Sequence, residues 1–197
     1  MEQLEFAGEF REGMPFLGGS LWIDFLNTMP VIKGEAVDFL ASESSIVGWA
    51  RQANILIDAN RPIDSPADLH RLRQDLADAF DRLAEARPLP IAFITRTNAL
   101  IAHSAVKSHI VAADSGAHVV EQVALVGPPV ATAVAWDFSR FLGRFEHQRM
   151  RHCGNQACVM QFYDSGKNNR RRWCTMSICG NRDKVAHYRA RKSTGSV

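Results

Sequence analysis

With 197 residues the chain is long enough for one compact domain with a sizeable core, or for one domain with a small appendage. Its 46% hydrophobic and 22% charged residues are ordinary globular values, and they exclude general disorder and the fibrous classes. The formal charge of +2 is nearly neutral, and no run approaches the roughly 18 apolar residues of a membrane span.

The opening MEQLEFAGEFREGM is acidic where an export signal is basic and then apolar, so the reading is a cytoplasmic protein with no membrane partner. Residues 15–29 begin with a turn-like Gly-Gly and then run apolar. Leu21, Ile23 and Phe25 alternate with Trp22, Asp24 and Leu26, which predicts a largely buried strand. Its polar end (Asp24, Asn27, Thr28) either lines a small-molecule pocket in the body or caps the next turn. Residues 42–56 read as a helix with a Ser-rich start. Residues 65–87 make the clearest helix: Ser65 caps it, Pro66 takes the first position, Asp68 completes a capping box, and Leu69, Leu72, Leu76, Phe80 and Leu83 form one stripe. Arg71–Asp75 and Asp78–Arg82 are i,i+4 pairs on its wet side.

After Pro88 and Pro90 a further helix is predicted to residue 105. Two β-like runs, 108–113 and 118–126, joined by Asp114-Ser115-Gly116, read as a hairpin. Gly127-Pro128-Pro129 then launches a helix to about residue 148, with Val130, Val134, Phe138, Phe141, Leu142 and Phe145 on its buried stripe. It is expected to lead straight into Cys153 and to hold the tail rigidly.

The near-neutral total conceals a division. Residues 1–148 hold 12 basic against 19 acidic residues, a charge of −7, while residues 149–197 hold 11 basic residues against Asp164 and Asp183 alone, a charge of +9. An acidic body with a strongly basic tail suggests a polyanion contact confined to one end, or a solvated tail without a partner. All four cysteines, Cys153, Cys158, Cys174 and Cys179, lie in that tail as two C-x4-C pairs fifteen residues apart. Two close thiolate pairs suit one tetrahedral zinc ion, each pair supplying one edge. Disulfides in three connectivities, or free redox-active thiols, use the same residues, and a reducing compartment argues against the disulfides. His152 adjoins a cysteine and competes as a ligand, but four thiolates already close the shell.

Between the pairs, residues 159–164 are predicted to leave as a strand and 170–173 to return as its partner, presenting Lys167, Arg170, Arg171 and Arg172 near the tip. Residues 180–192 look helical, and Arg182, Val185, Arg189 and Lys192 can share a face, with Tyr188 close beside it. Such cations suit phosphate-backbone binding. Phe162, Tyr163 and Trp173 either stack on unpaired bases, which brings RNA into view, or pack the small core around the metal. Asn181 and Arg182 closely follow the last cysteine. They either brace the metal site, Asn181 through backbone or sulfur and Arg182 through Asp164 or Asp183, or touch DNA.

The string R-R-W-C-x4-C-G-N-R-x-K, from Arg171 to Lys184, resembles the signature of the CGNR zinc-finger family, and the preceding C-x4-C with F-Y-D resembles its first half. The segment L-W-I-D-F-L-N-T at residues 21–28 and the later Trp49-Ala50 resemble the ABATE domain that accompanies this finger in bacterial stress-induced transcription regulators. The resemblance implies one structural Zn2+ on Cys153, Cys158, Cys174 and Cys179, braced by Asn181 and Trp173, and a double-stranded DNA partner. The contacts that the charge pattern of the tail suggests for that partner are Lys167, Arg170, Arg171, Arg172, Arg182, Lys184, Arg189, Arg191 and Lys192. Members of that family typically carry Ser-Arg or a similar pair in the turn after F-x-D, where this chain has Ser165-Gly166-Lys167-Asn168-Asn169.

The expected fold is α+β: a mainly helical body with a small antiparallel sheet over residues 1–148, for sensing or assembly, and over 149–197 a four-cysteine zinc-finger hairpin with a basic helix. No P-loop, G-x-S-x-G or H-E-x-x-H occurs, so no enzyme activity is expected. The competing function is a structural module whose zinc staples the C-terminus while the basic tail pairs with an acidic surface, as in a homo-oligomer.

Overall fold

In the computed structural model, which describes residues 9–58, 62–113 and 116–194, the run expected to be a strand at residues 21–26 is instead a helix, α1 (Leu21–Leu26). Its Trp22, Ile23, Asp24 and Phe25 are all buried. A segment enclosed on every side needs no polar face, so strict alternation in so short a run does not discriminate strand from helix. Trp22 meets Phe138 and Phe141 edge-on at 5.1 and 5.2 Å and Phe80 at 5.9 Å, which makes α1 the hub of the body. At its N-terminus the Trp22 amide donates to Asp137 Oδ2 at 3.0 Å.

Two short antiparallel hairpins flank α1: β1 (Phe10–Arg11) with β2 (Met14–Pro15), and β3 (Val31–Ile32) with β4 (Glu35–Ala36). The helix predicted from residue 42 is α2 (Glu43–Gln52), shorter than expected at its C-terminus. Ser42 and Ser45 form a reciprocal capping box, and Ile46, Trp49 and Ala50 face the core.

The long helix forms as its pattern dictates, as α3 (Pro66–Ala84), with the Asp68 amide donating to Ser65 Oγ at 3.1 Å. Leu69, Leu76, Phe80 and Leu83 are buried. Asp78 and Arg82 pair at 2.7 Å, whereas Asp75 turns away from its own helix to Arg96 of α4 (Ile91–Ile101) at 2.9 Å.

The predicted hairpin is present and longer than expected, with β5 (Ser104–Ala113) antiparallel to β6 (Gly116–Leu125) in the register Ala113↔Gly116. Its turn residues Asp114 and Ser115 lie outside the described residues. The next helix, α5 (Pro129–Leu142), stops at Gly143, short of the predicted residue 148. Its first amides, those of Val130 and Ala131, donate to the buried Asp64 carboxylate at 2.9 and 2.8 Å. The expected direct run into Cys153 is corrected: a 3-10 turn (His147–Arg149) and β7 (Met150–His152) intervene. The molecule is thus α+β, mainly helical, with only two-stranded sheets among the described residues.

Candidate metal centre

The tail is organised by β7 and β8 (Gln161–Tyr163), which pair antiparallel with Arg151 opposite Phe162. The returning strand predicted at residues 170–173 is not formed; β8 takes β7, on the N-terminal side of the first cysteine, as its partner. Pairing with β7 brings Cys153, at the end of that strand, alongside the chain leaving Cys158, and the Cys153 amide donates to Met160 O at 2.8 Å. The first knuckle turns tightly, with the Cys158 amide on Asn155 O at 2.9 Å. The second runs from Cys174 into a π-helical turn (Met176–Gly180) that carries Cys179.

All four sulfurs lie within 4.8 Å of one another. Cys158 and Cys174 are 3.7 Å apart and Cys174 and Cys179 3.6 Å, far beyond a disulfide bond. Sulfurs about 2.3 Å from a tetrahedral zinc stand about 3.8 Å from each other, so the cluster has the size of one such shell. The Cys174 amide points at Cys153 Sγ at 3.4 Å, a donor suited to a thiolate. The thiol acidities carry the same message. A hydrogen bond from Cys174, opposed by burial, pulls Cys158 down to about 5, while burial pushes Cys179 up to about 12 and the bond to Cys158, with burial, drives Cys174 up. Bringing Cys174 and Cys179 to the thiolate form that a metal takes therefore calls for a cation at the centre. The four cysteines could hold one metal ion, and zinc suits an all-sulfur shell.

Around the cysteines lie Leu17, Met160 and Phe162, with Trp173 packed against them. Phe162 is fully buried, which assigns it to the core of the finger and removes it from base stacking. Arg172 lies 4.9 Å over the Trp173 ring. Asn181 donates from Nδ2 to Ser177 O at 2.9 Å and so braces the turn that carries Cys179. His152 turns away from the sulfurs, its Nε2 2.8 Å from Asp81 on α3.

The arginines of the tail divide into two sets. Arg149 reaches the carbonyls of Asp164 and Gly166, and Arg151 holds Asn169 through both its carbonyl and its side chain. Arg171 is turned inward: Nε donates to Trp173 O at 3.1 Å, Nη2 to Leu17 O at 2.9 Å and to Cys174 O, and the guanidinium lies 4.2 Å over Phe162. This planar fork is spent on the protein itself, so Arg171 does not belong with the outward cations. Asp164, also buried, accepts from the Gly166 amide at 2.9 Å and the Arg171 amide at 2.8 Å and shapes the loop between the pairs; the pairing with Arg182 considered from sequence is not among its bonds. Lys167, Arg170, Arg172, Arg182, Lys184, Arg191 and Lys192 are exposed. Arg189 falls within α6 (Asn181–Thr194), but its side chain lies outside the described set.

The finger is built onto the body. One edge of β8 bonds to β7; on the other, the Asn27 side chain acts as a short strand, donating to Gln161 O at 2.8 Å and accepting from the Gln161 amide at 2.9 Å. The Tyr163 amide donates to Gly18 O at 2.8 Å. A side chain at Gly18 would lie 2.7 Å from Ile23 Cβ, so that glycine admits the start of α1, while Gly19 combines a φ of +86° with Tyr163 O 3.2 Å from where a Cβ would stand and so admits the finger. Asn27 is therefore a docking residue, a role that the sequence did not signal. Thr28 Oγ1 donates to Phe25 O at 2.7 Å, in keeping with the capping alternative.

Two cysteine knuckles closed on a four-sulfur cluster and docked on a helical body define a metal-finger protein with a built-in second module. Residues 149–192 match the CGNR zinc finger, and residues 19–144 match ABATE, described as "Putative stress-induced transcription regulator". The latter match covers more than half of the chain, and the protein belongs to the ABATE family. No curated protein matches it.

Proposed function

We propose that the chain is a zinc-dependent transcription regulator that docks its C-terminal finger on double-stranded DNA, the body of residues 1–148 serving sensing or assembly. One observation carries the reading: the finger spends Arg149, Arg151 and Arg171 on backbone carbonyls of the protein itself and has Lys167, Arg170, Arg172, Arg182, Lys184, Arg191 and Lys192 exposed. The inner set fixes the loops and the outer set meets phosphates, the division a sequence-independent backbone contact requires. A closed four-sulfur shell leaves no position for substrate, which supports a structural metal and a non-enzymatic role.

The test is a fluorescence-anisotropy titration of the metal-loaded protein against duplex DNA, single-stranded DNA and RNA at two salt concentrations, with a metal assay on the same material. Six or seven phosphate contacts, according to whether Lys192 meets a phosphate or a base edge, give a slope of log K on log salt of about −5 to −6. Duplex should bind best, and reversal of Arg170 and Arg172 to Glu should abolish binding while metal content stays intact. Intact binding in that variant would remove the assigned surface. The division of charge, −7 against +9, favours one second reading, a basic tail that pairs with the acidic body of another copy. An oligomer that dissociates at high salt and has no affinity for nucleic acid would establish it.

A further inference from the structure

Beyond holding phosphates, the tail carries a helix shaped for a groove. α6 runs for 14 residues, about 21 Å, and its main neighbour among the described elements is the π-helical turn that leads into it. Five cations and one acid lie along it. At 100° per residue, Asn181, Val185, Tyr188 and Lys192 recur at steps of four, three and four and share one line. Arg182 lies on one flank of that line, Lys184 and Arg191 on the other, and Asp183 and Ala186 behind it. The line is in the open: Val185 is 47% and Tyr188 58% exposed, and Lys192 Nζ stands 5.8 Å over the Tyr188 ring. A soluble helix usually turns its apolar residues to a core; this one turns them, between rows of cations, to solvent.

Resting on the DNA-binding reading above, we propose that α6 enters the major groove of duplex DNA, with Val185, Tyr188 and Lys192 facing base edges. Arg182 on one side and Lys184 and Arg191 on the other meet the two phosphate walls, while Lys167, Arg170 and Arg172 hold the backbone alongside. A helix 10–12 Å across fits a groove about 12 Å wide, whereas the deep, narrow major groove of duplex RNA does not admit it. Val185 and the Tyr188 ring suit thymine methyl groups, and Lys192 suits guanine O6 and N7. The charge excess selects a polyanion as occupant, and the apolar line with cationic flanks selects a groove over a flat surface.

The test selects bound duplexes from a pool with a randomised core, using the full-length, metal-loaded protein. Wild type should enrich a preferred sequence. In that duplex, deoxyuridine in place of thymidine, or 7-deazapurines in place of purines, should weaken binding about tenfold or more by removing major-groove features alone. The double variant Val185→Ala, Tyr188→Ala should lose that preference with the salt slope unchanged, whereas Arg170→Ala, Arg172→Ala should weaken all duplexes alike and reduce the slope by about 2. Circular dichroism and metal content keep the comparison to folded protein. Duplex binding with no sequence preference, or with a preference that neither α6 variant nor modified base alters, overturns the assignment of α6 while leaving the DNA reading standing. Failure to bind any duplex, or tighter binding to RNA or to polyglutamate, overturns both.

Discussion

Asp24 sits at the centre of the molecule, 1% exposed, its Oδ1 accepting the Gly18 amide at 2.7 Å. Burial pushes its carboxyl up to about 7, the Gly18 amide and the positive charges of Arg11 and Arg171 pull it down, and Asp137 adds to the upward push. The folded protein therefore keeps this proton at pH values where the unfolded chain has released it. Such a group favours the fold in acid, and that contribution is lost as the pH rises from the ordinary carboxylate range to about 7, at a rate of up to about 1 kcal/mol per pH unit. Asp24→Asn retains an acceptor for Gly18 and carries no proton to lose. Urea unfolding of the metal-loaded proteins at pH 5 and pH 8 should show wild type losing stability relative to this variant, and parallel pH profiles would refute the assignment. Arg171 and Arg172 make the same point about context: adjacent and chemically identical, one is locked to three carbonyls and the other lies exposed over Trp173.

Among the elements, β8 is the joint. A bare strand edge invites the wrong partner, and here the second edge is finished by the Asn27 amide and the Gly18 carbonyl. Asn27→Ala removes both bonds to Gln161, a loss of about 2 kcal/mol, and should lower Tm by about 5 °C in calorimetry. An unchanged Tm would mean that Asn27 is not a structural joint. This joint marks where sequence reading stops. Ser65, Pro66 and a leucine stripe specify α3 locally, and two β-branched runs around Asp-Ser-Gly specify the β5–β6 hairpin, so both were legible. The cysteine spacing likewise brought the four ligands together on paper, because a metal shell is a local demand. What spacing cannot express is partnership across the chain. Leu21–Leu26 folds as a helix because Phe80, Phe138 and Phe141 enclose it; β8 pairs backwards with β7; Arg171 is claimed by Leu17, 154 residues away in sequence.

At the scale of the whole molecule, the body and the finger share a boundary of hydrogen bonds and packing: Asn27 and Gly18 on β8, Asp81 on His152, and Phe141 edge-on to Tyr163 at 5.1 Å. A metal that binds the folded cluster and not the unfolded chain stabilises everything that unfolds with it. Chelation should therefore lower the Tm of the body as well as that of the finger, observed as one calorimetric transition that shifts as a unit. Two transitions, only one of them sensitive to chelator, would show that the segments melt independently. The strand that Asn27 completes has a practical corollary. Severed from residues 1–148, the C-terminal piece would bare an unfinished rim and cling to copies of itself, so its affinities are best measured on the entire polypeptide. Left whole, the same seam ties the helix that carries Trp22 to the finger through Asn27 and Gly18, so the two are anchored at a single place.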